Sequence, residues 1–174
     1  MGEDDMIIRE LAPTDSIADL TTLLHAAYAR LGEMGFNYTA VDQAEDMTRK
    51  RIARGLCLVA VDSGALVGTI MFHPLGQSAG CPCYERPDVA TIGQFGVLPG
   101  RQGTGTGTRL LREAERLAIA CGAAELALDT SEGADHLIAW YEREGFRFVE
   151  YAQWEGKTYR SVIMSKQVRL PSEA

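Results

Sequence analysis

Residues 97–111 read VLPGRQGTGTGTRLL, with glycines at 100, 103, 105 and 107 just ahead of a leucine-bearing, helix-forming run. A helix N-terminus presents unpaired N–H groups and partial positive charge, so it suits an anion such as a phosphate. Glycines there remove the side chains that would hold a phosphate away from those N–H groups, and Thr104, Thr106 and Thr108 add hydroxyl donors. The glycines alone fit a flexible strand-to-helix turn equally well. Two familiar phosphate loops do not fit. A P-loop requires a Lys directly after its last glycine, and Thr108 stands there. A dinucleotide fingerprint requires G-x-G-x-x-G after the first strand of a βαβ unit, whereas this is G-x-G-x-G much later in the chain.

The four cysteines offer less. Cys57 and Cys121 lie in apolar stretches that predict core packing, and Cys81-Pro82-Cys83 has no second ligand pair at zinc spacing, so no metal is expected. They are too scattered for a disulfide framework. A formal net charge of −7 argues against a nucleic-acid partner and is compatible with an amine-bearing substrate. No apolar run is long enough for a membrane span. The acidic start MGEDDMIIRE lacks the basic residues and long apolar stretch of a secretory signal, so a cytoplasmic protein is expected.

The elements that must position these residues follow from periodicity. MIIRE (6–10) reads as a first strand, and Pro13, Thr14 and Asp15 supply helix-start chemistry for a segment reaching about Leu31. Residues 32–41 read as a loop, with Asp42 as the cap of a helix over 43–54. LCLVAVDSGALVGTIMFHPL is two apolar runs about Asp62-Ser63-Gly64, a hairpin signal. Residues 75–88 form a long loop. A strand over 89–98 contains Gly93 and Gly96, which suggest a bulge or the close approach of another group. An amphipathic helix over 107–121, a strand at 126–129, a helix over 134–144 and strands at 146–151 and 158–165 complete the chain. The order predicts a mixed α/β sheet in one domain, with a core of about 6–165 and a short tail over 166–174.

With these elements in place, Gln102–Gly107 resembles the acyl-CoA pyrophosphate loop of the GNAT superfamily of N-acetyltransferases. Val97-Leu98-Pro99 is similar to the Val-x-Pro that ends that family's fourth strand. Downstream, Ala139-Trp140-Tyr141-Glu142-Arg143-Glu144-Gly145-Phe146 resembles the family's A-x-x-L-Y-E-K-x-G-F segment, with Trp in place of Leu. The resemblance covers the chain from Met6 to Ile163. It implies an α+β fold with a mostly antiparallel central sheet flanked by helices and a splayed fourth strand. It also implies acetyl-CoA as co-substrate, attacked directly by a primary amine of a small molecule or peptide.

Carried onto this chain, the resemblance assigns the pyrophosphate to the backbone of Gln102, Gly103, Thr104, Gly105, Thr106, Gly107 and Thr108. It assigns the pantetheine arm and thioester carbonyl to Phe95, Gly96 and Val97, and the protonation of the leaving sulfur to Tyr141. The chain departs from the family in two places. The fourth strand carries Gln94 where many members have a Glu, and Ala134 stands where many have an Asn, so that a side-chain contact to the pantetheine is either missing or supplied by Ser131 or Thr130. Asp88, Glu85, Glu132, His73 and His136 are the nearby groups able to take a proton, none singled out as the base. The loop 32–41, with Phe36, Asn37 and Tyr38, and the stretch 152–159, with Trp154, border the expected acceptor side, as does the loop 75–88. A homodimer is common among relatives and stays open. The missing strand carboxylate keeps a second function in view, an acyl-CoA-binding regulatory module without turnover.

Overall fold

A computed structural model describes residues 5–169. Its strands are β1 (Met6–Glu10), β2 (Leu56–Asp62), β3 (Ala65–His73), β4 (Val89–Val97), β5 (Glu125–Ser131), β6 (Arg147–Ala152) and β7 (Ser161–Gln167). Its helices are α1 (Ile17–Glu33), α2 (Thr39–Asp42), α3 (Glu45–Ile52), α4 (Pro82–Glu85), α5 (Thr106–Ala120) and α6 (Asp135–Arg143), with a 3-10 turn at Pro99–Arg101. The strands form one sheet in the order β1-β2-β3-β4-β5-β7-β6. Every neighbouring pair is antiparallel except β4 and β5.

The central strands are buried on both faces, and β2 shows how the sequence achieves it. Cys57, Val59 and Val61 pack with Leu20, Leu23 and Leu24 of α1, while Leu58 and Ala60 join Leu110, Leu111, Ala114 and Ala118 of α5. Alternation of side chains across a strand makes both sets apolar, so the strand reads as one continuous hydrophobic run. The β2–β3 turn uses Ser63 and Gly64, both at positive φ (51° and 81°), the conformation of a tight two-residue hairpin.

Several boundaries differ from the sequence expectation. The cap of α1 is Ser16, whose side chain accepts from the Asp19 N–H at 3.0 Å. Asp15 instead takes two hydrogen bonds from Arg9, at 2.7 and 2.9 Å, and one from the Ala12 N–H. Asp42 caps nothing: it closes α2, and α3 starts after Ala44 without a side-chain cap. The loop 75–88 contains α4. Strand β7 runs to Gln167, so the expected tail loses its first two residues to the sheet, and 170–174 lie outside the described residues. Cys121 is exposed at the end of α5, whereas Cys81 and Cys83 are buried against Tyr84, Val89, Ala127 and Ile163. The spacing rule read Cys121 as apolar because it continued the helical stripe by one turn too many. Among the described residues, no group of His, Cys, Asp and Glu is placed to hold a metal, and no helix is long and apolar enough to cross a membrane.

Candidate active site

The site begins with a fault in the sheet. β4 pairs with β5 only over Val89–Thr91, opposite Glu125–Ala127. Beyond Thr91 it follows β3 while β5 follows β7, so a wedge opens between residues 92–97 and 128–131. The β3–β4 register slips by one residue between Thr69 and Met71, and Gln94 sits in the bulge with φ 45°. The slip has a directional consequence. Ala90 and Ile92 face the α5 side, and after the bulge it is Phe95 and Val97 that join that side. A regular strand would have kept the even-numbered residues there. Gly96 consequently faces α1, where a Cβ would stand 2.8 Å from the Ala27 Cβ. At Gly96 the group that approaches closely is therefore helix α1. The Leu98 N–H bonds back to Val67 O at 2.9 Å. Alternation then points the Val97 N–H away from β3 and into the wedge.

The wedge holds a cavity of about 500 Å³. It is lined by Phe95, Gly96 and Val97 of β4, by Gln102, Gly103, Gly105, Gly107 and Thr108 of the comb, and by Tyr141 and neighbours on α6. Two of the comb's four glycines have a backbone reason: Gly103 and Gly105 sit at φ 77° and 85°, and Gly105 is the residue that starts α5. A side chain added at Gly100, Gly103 or Gly105 would meet no protein atom within 4 Å, so this surface is open. The Gln102 amide donates to Val97 O at 3.4 Å and ties the comb to the end of β4. Thr104 and Thr106 do not line the cavity. Thr106 is 2% exposed and donates to Met6 Sδ at 3.3 Å, and Thr104 bonds Arg101 O and Thr106. Their hydroxyls are thus spent on the loop itself, leaving backbone N–H groups as the donors on offer. Arg30, Arg143 and His136 also reach this cavity.

Tyr141 comes from α6, whose other buried contact is Phe146 just beyond it, ring centroids 5.8 Å apart. It is 8% exposed, its hydroxyl has no hydrogen-bond partner among the described residues, and it lines the cavity. Burial, with Tyr28, Tyr38 and Asp129 nearby, pushes its phenol well above the usual range, so it stays protonated at all ordinary pH. Phe95 and Trp140 flank it at centroid distances of 6.4 and 5.2 Å.

A second cavity of about 140 Å³ adjoins the first. Tyr28, Tyr38, Phe95, Asp129 and Tyr141 line both, so these five residues mark where the two meet. Asp129 is held from both sides: Tyr84 Oη donates to Oδ1 at 2.7 Å and Trp154 Nε1 donates to Oδ2 at 3.0 Å. The Tyr38 hydroxyl accepts from the Ser131 N–H at 2.8 Å and bonds Thr130 Oγ1 at 2.8 Å. Its ring stacks on Tyr159 at 4.8 Å. Tyr28 is pushed up by burial, with the Phe95 backbone N–H beside its hydroxyl.

Some residues singled out in the sequence line these cavities and others do not. Tyr38 and Trp154 border the smaller cavity. Phe36 packs under Gly133 and against Tyr159, and Asn37 ties its loop to Gly156 and Thr158. Of the proton acceptors weighed, Asp88 pairs with Arg86, Glu132 with Arg160, and His73 bonds Arg54 O, while only His136 reaches a cavity. Ala134 is fully buried, and Thr130 lines the larger cavity with its hydroxyl bonded to Tyr38. Asp129, Tyr28, Arg51 and Lys157 were not singled out. For Asp129 a signal existed: a charged residue inside the apolar strand ELALDTS needs a reason to be there.

A wedge between two parallel strands, ending at a glycine loop on a helix N-terminus, defines a site for an elongated, phosphate-bearing ligand. Residues 20–146 match the Acetyltransferase (GNAT) family. The chain belongs to that family, and acyl transfer from acetyl-CoA is the chemistry that membership supports. No curated protein sequence matches it significantly. Solved structures with the same fold include a protein from Pyrococcus horikoshii OT3, 22% identical, covering 95% of this chain and 99% of that one at a TM-score of 0.74. Another is a GNAT family acetyltransferase from Elizabethkingia anophelis with acetyl-CoA bound, 15% identical over 95% and 99% of the two chains, TM-score 0.67. A third is a ribosomal-protein alanine N-acetyltransferase from Escherichia coli, 18% identical over 97% of each chain, TM-score 0.71.

Proposed function

We propose that this chain is an N-acetyltransferase that moves the acetyl group of acetyl-CoA onto the primary amine of a small molecule or peptide by direct attack. The observation that carries the reading is the meeting of two cavities at Tyr141 and Asp129, one reaching the glycine comb and the other lying beside it. The residues present fit acetyl-CoA. The comb offers N–H groups at the start of α5, Arg30 and Arg143 add positive charge, and beyond Thr91 β4 turns to the wedge an edge that β5 does not pair. The Elizabethkingia relative was solved with acetyl-CoA bound, and the Escherichia coli relative bears the name of an N-acetyltransferase.

Acetyl-CoA supplies an activated acyl carbon; the chain's residues handle position and protons. The new C–N bond forms as the C–S bond breaks, the amine loses a proton, and the departing sulfur gains one. The N–H at Val97 points where a carbonyl oxygen would gather charge, an interaction worth on the order of 3 kcal/mol in comparable sites. Tyr141, protonated and unpartnered, gives its proton to sulfur. We assign the amine's proton to Asp129. The fourth strand carries no carboxylate, and the neighbouring strand brings one to the junction instead. That placement weakens the alternative of an acyl-CoA-binding module without turnover.

A thiol-release screen of primary amines with acetyl-CoA tests the proposal. Stoichiometric release of free thiol and N-acetylated product is expected with at least one amine. Binding of acetyl-CoA with no release across the panel would leave the non-catalytic module as the better account.

A further inference from the structure

The acceptor cavity carries a charge pattern that the reaction itself does not require. Its charged lining groups are Arg51 from α3, Lys157 from the β6–β7 connection, and Asp129. Asp129 already accepts from Tyr84 and Trp154. Neither cation has a carboxylate within ion-pair distance among the described residues. Arg51 Nη1 donates to Gln43 Oε1 at 2.8 Å, and Lys157 Nζ donates to Asn37 O and Thr39 Oγ1 at 2.9 and 3.0 Å. All three acceptors are neutral. Burial lowers both groups below their ordinary values; the Arg54 charge adds to this at Arg51 and the Arg51 charge adds to it at Lys157, while Asp129 opposes it at both.

Gln94 supplies an independent observation. It is 3% exposed and lines the same cavity, and its Oε1 accepts from Gln43 Nε2 at 3.2 Å. Its own Nε2 is buried with no partner. A buried amide donor left unpaired costs free energy, so its presence points to a ligand that completes it. The cavity of about 140 Å³ is therefore lined by two cations with no carboxylate partner, Arg51 and Lys157, and by the unpaired amide donor of Gln94. Two cations with one carboxylate are complementary to a molecule with one ammonium and an acidic group.

Resting on the acetyltransferase reading, we infer that the acceptor is a small amine that also carries a carboxylate, its acidic group met by Arg51, Lys157 and Gln94 and its ammonium by Asp129. Polyamines and aminoglycosides, which bring only positive charge, would leave both cations opposed. A peptide N-terminus would place a neutral carbonyl where the acidic group belongs. Arg51 and Lys157 act here as specificity residues, away from the transferred acetyl group.

The experiment compares the L-amino acids with their carboxamides, with putrescine and spermidine, and with kanamycin, by thiol release at saturating acetyl-CoA. A free amino acid is expected to exceed its own carboxamide in kcat/KM by at least about tenfold, the loss for one charge-assisted partner. Arg51→Met and, separately, Lys157→Met should erase that preference while leaving the affinity for acetyl-CoA unchanged, which also shows that the variants fold. Preference for a carboxamide, a polyamine or kanamycin overturns the inference and leaves the acetyltransferase reading intact. If no amine is turned over, calorimetric titration of the same panel into the CoA-loaded protein decides the inference separately. Binding of an amino acid that is lost in Arg51→Met sustains it, and absence of such binding overturns it.

Discussion

The Tyr84 hydroxyl donates to Asp129 Oδ1 at 2.7 Å, joining a one-turn helix in the long loop 75–88 to the middle of β5. Trp154 completes the clamp from the β6–β7 connection and stacks on Tyr84 at 6.0 Å, with its ring packed onto Gly80. The carboxylate at the cavity junction is therefore held by two segments that the sequence presents as loops. Burial and the adjacent carboxylate push the Tyr84 phenol well up, which keeps it a donor. Asp129→Asn should lower kcat/KM by roughly 10²–10⁴, the range for a positioned acid or base. Tyr84→Phe keeps the carboxylate and removes one donor. It should cost about 1.5–3 kcal/mol of stability and a much smaller part of the rate, as steady-state kinetics and thermal melts will show.

Tyr141→Phe removes a hydroxyl that makes no hydrogen bond in the protein, so the melting temperature should hardly change while kcat falls by about 10² or more. Burial raises the folded phenol above its ordinary value of 10.0. The acid form thus persists past pH 10, and the wild-type pH–rate profile should show no alkaline decline from this group below that pH. Near wild-type turnover by Tyr141→Phe would remove it from the mechanism.

Gly103→Ala and Gly105→Ala force a Cβ into the left-handed region, at roughly 1–2 kcal/mol each, and disturb the N–H groups that face the cavity. Both should raise the dissociation constant for acetyl-CoA by an order of magnitude or so. Gly100→Ala, at a residue with ordinary φ and open surroundings, should leave it unchanged. Equal effects at all three positions in a calorimetric titration would contradict this division of the comb.

Gly96 is the contact point of β4 with α1, and a Cβ there would meet Ala27 at 2.8 Å and the Tyr28 ring at 3.3 Å. Gly96→Val should destabilise the fold by about 1–3 kcal/mol through overpacking, measured by denaturant unfolding. Because Tyr28 lines both cavities, acceptor and acetyl-CoA affinities should fall together.

Local chemistry made much of this protein legible. The hairpin turn at Ser63-Gly64, the helical stripe of Leu110, Leu111, Ala114 and Ala118, and the glycines before α5 each follow from interactions within a few residues, so periodicity and turn preference report them directly. The comb and the AWYEREGF segment pointed to the family for the same reason: a phosphate loop and a helix facing it are continuous stretches. Gln94 marked the fourth strand as unusual without saying how. Its positive φ, and the parity switch that turns Phe95 and Val97 to the α5 side, come from pairing with β3 some twenty residues earlier in the chain.

The proposed acceptor side emerges only in the tertiary structure. Arg51, Gln94, Asp129 and Lys157 lie on four separate segments; Arg51 and Lys157 read as ordinary in their own neighbourhoods, and nothing local to Gln94 or Asp129 says what either faces. A cavity's charge depends on which of these ends share one space, and on which pairings elsewhere satisfy the rest. Glu132 is engaged by Arg160 and Asp88 by Arg86, while Asp129 is turned inward by Tyr84 and Trp154. The sequence by itself pointed to the family and to acetyl-CoA, because a glycine loop and the helix segment that follows it are contiguous stretches whose chemistry is local. The charges proposed to meet the amine required the folded sheet, because they come together only where β4 and β5 part.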